Sequence, residues 1–323
     1  MLELFGAFLS SISTPDFASK GYGFIVAGSR IGGIITPLFS WLLIEKSGMS
    51  DCISIPLLTA STFILFLMAI YCMRLISKKI PQSHLHGYEA AYNIEQTVEA
   101  TQKKSGLLEG LRLMLTQPYV FGIFGLVFSF EVINIIFDYQ MHVLMSIESH
   151  NAIGAMSSFM LIYTGTWQTL SLLFALFGTS TLIKRLGVQR CLQIMPFMSI
   201  GLALLPIIHP RLSTIFFVVV LLRALNYGFN QPLREILFIP TIKDIQFKSK
   251  AWIESFGRTF AKTAGSSLNQ IAILHIPALC VLLESCFAVA LAMVWALIAL
   301  FVGKKYVKTI ASNDVIGKKE SLK

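Results

Sequence analysis

Long apolar runs, separated by short polar, basic or proline-containing links, set the pattern of this chain. Runs at residues 22–44, 52–73, 118–138, 153–177, 191–208, 212–230 and 260–302 carry very little charge. A helix needs roughly 20 apolar residues to cross a bilayer. Each of the first six runs therefore predicts one span, and 260–302 predicts two that turn near 277–284. Residues 1–13 are apolar but too short for a span, and read as the end of a helix that begins earlier. The expected fold is all-α: a polytopic membrane helix bundle of about eight full spans plus a partial N-terminal one. The longest polar segment, 74–117, divides it. Residues 1–77 end an N-terminal bundle, 78–117 form a cytoplasmic linker, 118–302 form a six-helix bundle and 303–323 form a basic tail. Within the linker, 106–115 is amphipathic and is expected to lie along the interface.

The polar positions inside the apolar runs come next. Arg223, Asn226, Tyr227 and Asn230 lie in the run at 212–230, and Arg234 follows it. Their spacing places them on one helical face, with Pro232 expected to kink the helix just before Arg234. Polar stripes in a membrane span normally face a bundle interior or a watery cavity. Glu131, Asn134 and Asp138 share a face of the run at 118–138. A carboxylate at that depth costs about 2.5–3.5 kcal/mol on insertion scales, so Glu131 calls for a base: Arg223, Arg234 or a residue outside this chain. The alternative is an acid that water reaches near the interface. Arg30 sits between Gly28 and Gly32, a close-packing face, and either snorkels to the interface or serves a site. A milder stripe, Thr164, Gln168 and Ser171, marks 153–177. Lys250, Glu254 and Arg258 repeat every four residues, the pattern of an exposed helix laced with ion pairs. A solvated loop is the plain reading of 243–250.

Composition sharpens the class. Of 323 residues, 55% are hydrophobic and 13% charged, with a mean hydropathy of +0.71, far from the roughly one-quarter charged of soluble domains. The net charge of +9 does not indicate nucleic-acid binding, because of where it lies. Of the 26 basic residues, all but Arg30, Lys46, Arg211, Arg223 and Arg234 fall at Lys20, in the polar segment 74–117, in 184–190, in 243–262 or in the tail. That bias places the linker and the C-terminus in the cytoplasm. The five cysteines show no metal or redox spacing, and His84 and His86 have no further ligands nearby. Walker A, H-E-x-x-H, G-x-S-x-G and G-x-G-x-x-G motifs are absent, and neither a filter-like loop nor a ring of like charge suggests a channel. The expectation is a non-enzymatic carrier without a cofactor, working by alternating access. Buried arginines favour an anionic substrate.

A family resemblance narrows this. Arg234-Glu235, Phe238-Ile239-Pro240, Lys248-Ser249-Lys250, Ile253-Glu254, Gly257-Arg258 and Lys262 resemble the signature region of the ATP:ADP antiporter family, nucleotide transporters of obligate intracellular bacteria and plastids. Glu3-Leu4-Phe5-Gly6, Gly21-Tyr22-Gly23, Leu107 to Leu111, Pro118-Tyr119, Glu131-Val132-Ile133, Asp138-Tyr139-Gln140, Phe177 to Ser180 and Leu225-Asn226-Tyr227 resemble further stretches in the same order, over nearly all of 1–303. The resemblance implies a twelve-span, major-facilitator-like arrangement, of which this chain would hold the end of span four through span twelve. It implies a nucleotide (ATP/ADP) exchanger, or its C-terminal two-thirds, in a bacterial inner membrane. Family charges correspond to Glu3, Glu131 and Arg234, where arginine replaces the family's lysine; Arg30 has no counterpart. Arg234, Arg223, Asn226, Asn230, Glu131 and Arg30 are thus candidates for substrate binding, and Glu3, Glu131 and Asp138 for coupling or ion pairing. A non-transporting remnant or scaffold, and a carrier of another organic anion, are the alternatives.

Overall fold

In a computed structural model, residues 25, 27–35, 51–79, 108–150, 153–273 and 277–317 are described. Among them the chain is helical, apart from an isolated bridge between Thr241 and Ile316. We number the helices α1 (Asp51–Lys79), α2 (Leu108–Thr116), α3 (Pro118–Glu148), α4 (Ile153–Leu173), α5 (Ser180–Ile208), α6 (Leu212–Leu225), α7 (Gln231–Leu237), α8 (Lys250–Trp252), α9 (Arg258–Ile273) and α10 (Pro277–Ala311). Among the described residues, four helical stretches are long and apolar enough to cross a membrane: Pro118–Glu148, Ile162–Ile208, Leu212–Leu237 and Val281–Ala311. This fits a helical membrane bundle.

The second stretch holds 47 residues, which at 1.5 Å per residue would run about 70 Å, more than twice the hydrocarbon core. It is not one rod. Gly187 has φ 77° and ψ 161°, a conformation open to a residue without Cβ, and the chain reverses there. Side-chain pairs give the directions. Tyr163 packs edge-on against Phe216 and Trp167 lies beside Tyr227, so α4 runs parallel to α6. Gln189 lies against Gly303, and Gln193 against Ala296, so α5 beyond Gly187 runs antiparallel to α10. The pairs Asp138–Arg223 and Tyr119–Leu237 set α3 antiparallel to α6 and α7. Phe130–Trp295 and Gln140–Glu284 set it antiparallel to α10, whereas Phe128–Phe260 and Ile135–Gly265 set it parallel to α9.

α3 is the centre. Pro118 opens it at a position where a missing N–H costs nothing, and Phe130 to Asn134 are buried at every position. A helix covered on all sides must be apolar all round or have its polar groups partnered. The periphery is the converse: Phe177, Phe197, Phe217, Leu297 and Phe301 are exposed, as suits a lipid-facing surface.

Three expectations change. The charged run at 250–258 is not an exposed helix. Lys250 and Glu254 are buried, because their charges turn inward onto other charges; alternating charge at four-residue spacing looks the same in either case. The last apolar helix does not stop at 302. α10 continues to Ala311, and the Ile316 N–H then donates to the Pro240 carbonyl while the Ile242 N–H donates to the Ile316 carbonyl, which docks Val315 and Ile316 in apolar cover. Glu284 is not in a turn, since α10 begins at Pro277 and places it inside the helix. α2 lies against 245–249, where the Ser249 hydroxyl donates to the Gly110 carbonyl at 3.0 Å. There Lys248 bridges Asp244 (2.6 Å) and Glu109 (3.1 Å). Partial burial of its ammonium is outweighed by those two hydrogen bonds, and its pKa is raised.

Candidate functional site: a polar column through the bundle

The column begins with a break in the helix that carries most of it. α6 and α7 are joined by a wide helical turn, Asn226–Asn230. Pro232 has no N–H to give to the carbonyl four residues back, that of Gly228. The Thr179 hydroxyl takes its place, donating to the Gly228 oxygen at 2.7 Å. Such turns are frequent at functional sites. Glycine is required at 228: a Cβ there would lie 2.6 Å from the Ser171 carbonyl oxygen. The expected kink is therefore a widened turn, and it divides the predicted stripe.

Arg223 lies before the turn and faces α3. Its Nη2 donates to Asp138 Oδ1 at 2.8 Å and its Nε to Asn134 Oδ1 at 3.4 Å, with the guanidinium over the Tyr163 ring at 5.3 Å. Tyr227 turns to α4 instead. Arg30, on the helical stretch 27–35, lies 4.9 Å from the Tyr227 ring and 5.8 Å from that of Trp167, and its Nη1 donates to Gln168 Oε1 at 3.4 Å. Gln168 in turn donates to the Gly33 carbonyl at 3.2 Å. Arg30 is thus held by aromatic faces and an amide.

Asn226, Asn230 and Arg234 form the third group, all buried. Asn226 Oδ1 accepts from Asn230 Nδ2 at 3.0 Å and from Arg234 Nη1 at 3.4 Å. Arg234 is 2% exposed, and its Nε and Nη2 have no hydrogen-bond partner among the described residues. Buried guanidinium N–H groups without acceptors cost on the order of 1–3 kcal/mol or more, and each such case asks for an explanation.

Glu131 finds a base, but neither of the two expected. Arg258, from α9, approaches its Oε1 at 3.5 Å and also holds Glu254 Oε2 at 2.5 Å. Glu235 pairs with Lys250. Four acids (Glu131, Asp138, Glu235, Glu254) and four bases (Arg223, Arg234, Lys250, Arg258) are thereby gathered. Because Arg258 serves two carboxylates, Arg234 is left with an amide oxygen. Glu254 and Glu131 are still near enough to act on its charge, as is Arg258.

The structure brings Arg234, Asn226 and Asn230 into one contact and Arg223 and Asp138 into another. Glu131 joins Arg258, and Arg30 stands apart against α4. Glu3 lies outside the described residues. Sequence reasoning missed Arg258 as the partner of Glu131; the four-residue spacing of Glu254 and Arg258 was the available signal. It also missed the parts played by Thr179, which entered only within the Phe177–Ser180 resemblance, and by Trp167, a lone aromatic in an apolar run that offered no signal. No family model, curated protein or solved structure matches this chain.

Proposed function

We propose that the chain is a membrane carrier of the nucleotide (ATP/ADP) exchanger type, major-facilitator-like in arrangement, with Arg234 as the ligand for substrate phosphates. The observation that carries this reading is the unpartnered Nε and Nη2 of buried Arg234. Those two atoms form one edge of the guanidinium fork, the edge that pairs bidentately with a phosphate. The ordered resemblance to the ATP:ADP antiporter family supplies the substrate class, and the basic residues at the linker end supply the orientation, with the C-terminus in the cytoplasm of a bacterial inner membrane. Asn230, bonded to Asn226, and Arg223, paired with Asp138, lie farther back along the same helical stretch as Arg234, and Glu131 with Arg258 forms an ion pair that substrate charge would loosen.

The test is ATP binding to the purified chain in detergent, with ADP as competitor. The parent should bind both. Arg234→Ala should weaken binding by about 10–100-fold, the worth of about 1.5–3 kcal/mol for hydrogen bonds to a charged group, and Arg234→Lys should keep part of it because it retains charge and loses the fork. An alanine variant that folds and binds ATP as well as the parent would overturn the assignment. Competition by a non-nucleotide anion without competition by ADP would point to another organic-anion carrier.

A further inference from the structure

A second buried polar contact lies away from the column, between α3 and α10. Gln140 is 4% exposed and Glu284 6%, and the Gln140 Nε2 donates to Glu284 Oε2 at 2.6 Å. No basic group among the described residues pairs with this carboxyl. The elements packed on α10 explain why. α5 carries no charged residue between Arg190 and its end at Ile208, and α9 carries none beyond Lys262. α3 brings Asp138, Tyr139 and His142 to this depth. Asp138 is taken by Arg223, His142 is exposed with Nδ1 against the Asp138 carbonyl oxygen, and Tyr139 is half-buried. On α10 itself Cys286 is exposed. An ionised Glu284 would be a buried charge with an amide for company, a costly state.

The amide supplies a second, independent sign. Gln140 Oε1 is buried without a hydrogen-bond partner among the described residues. A carboxylate has nothing to give it, because ionised carboxyls only accept. A carboxylic acid and a primary amide, in contrast, pair at two points: the amide N–H to the acid's carbonyl oxygen, and the acid O–H to the amide oxygen. One proton therefore removes the buried charge and provides the donor that Gln140 Oε1 lacks.

We propose that Glu284, paired with Gln140, is a proton-binding site, and that its proton is a co-substrate of transport. The binding step is simple: a hydronium ion gives its proton to Glu284 and leaves as water, and release to the other side reverses it. The site itself rests on the two side chains; its part in transport rests on the carrier reading above. A carrier that binds proton and anion together moves less net charge, and the proton gradient then drives uptake.

Infrared difference spectra of the whole chain in liposomes, taken as pH is lowered, test the site. The carbonyl stretch of a newly protonated buried carboxyl should appear and should be lost in Glu284→Gln, which keeps the shape of the acid. Gln140→Leu should move that band to higher frequency, because the acid's carbonyl loses its amide donor. A titrating band that persists in Glu284→Gln overturns the site, as does a band unmoved in Gln140→Leu. ATP binding across the same pH range tests the coupling: affinity should rise as pH falls in the parent and become flat in Glu284→Gln. Equal pH dependence in both overturns the co-substrate role. A Glu284-dependent band with no ATP binding at any pH would instead overturn the nucleotide reading and leave the proton site standing.

Discussion

Arg258 shows how a single residue's neighbours decide what its charge does. Its guanidinium holds Glu254 on its own chain segment and Glu131 across the helix interface, so it neutralises a carboxylate that the membrane would otherwise disfavour. Removing one member of such a pair leaves the other buried and uncompensated. Arg258→Met should therefore lower stability toward the low end of about 3–5 kcal/mol, since a quarter of the Arg258 side chain is exposed (25%). Adding Glu131→Gln to that variant should recover part of the loss. Denaturant unfolding in detergent measures both, and an unchanged midpoint for the single variant would show that the pair contributes nothing. Glu131 itself was legible from sequence as a charge needing a base. Its partner was not, because the choice among Arg223, Arg234 and Arg258 depends on how α9 lies along α3.

At the scale of elements, the wide turn at Asn226–Asn230 separates two jobs on one helix. Without it, Arg223 and Arg234 would share a face; with it, Arg223 turns to Asp138 and Arg234 stays with Asn226 and Asn230. Pro232 announced a disturbance, but its form depended on the Thr179 hydroxyl reaching the Gly228 carbonyl. Thr179→Val keeps the side-chain volume and removes that donor, so it should cost about 1–3 kcal/mol, with Thr179→Ser restoring most of it. Gly228→Ala should cost more than either, because the contact it makes is with Ser171 backbone, which cannot yield as a side chain would. Thermal unfolding in detergent orders the three variants. A valine variant as stable as the parent would mean that the carbonyl finds another donor.

At the scale of the molecule, the charge distribution and the helix directions agree on a single axis. Lys184, Arg185, Lys243, Lys248, Lys304, Lys305 and Lys308 gather at the end where α3 begins and α10 finishes, and Arg211 stands at the other. In a chain with all five cysteines replaced by serine, a cysteine at Glu148 should react with an impermeant thiol reagent added to intact cells, and one at Ser312 should not. Labelling at 312 with protection at 148 would invert the orientation.

Hydropathy along the chain was enough to give the class of fold and the approximate place of its long helices, because lipid leaves a helix as the simple solution for an apolar run. The buried positions of Glu131 and Arg234 and the half-buried one of Arg223 were likewise visible, since charge inside or beside such a run is rare enough to stand out. Tertiary structure alone decided who partners whom. The spacing of Lys250 and Glu254 reads as a solvated face, but packing turns both inward, and Glu284 reads as part of a turn but lies inside α10, which begins at Pro277. The reason is geometric. Sequence fixes which residues share a helix face, but a hydrogen bond or ion pair between helices depends on their azimuth and depth, which are set by the summed packing of every helix at once.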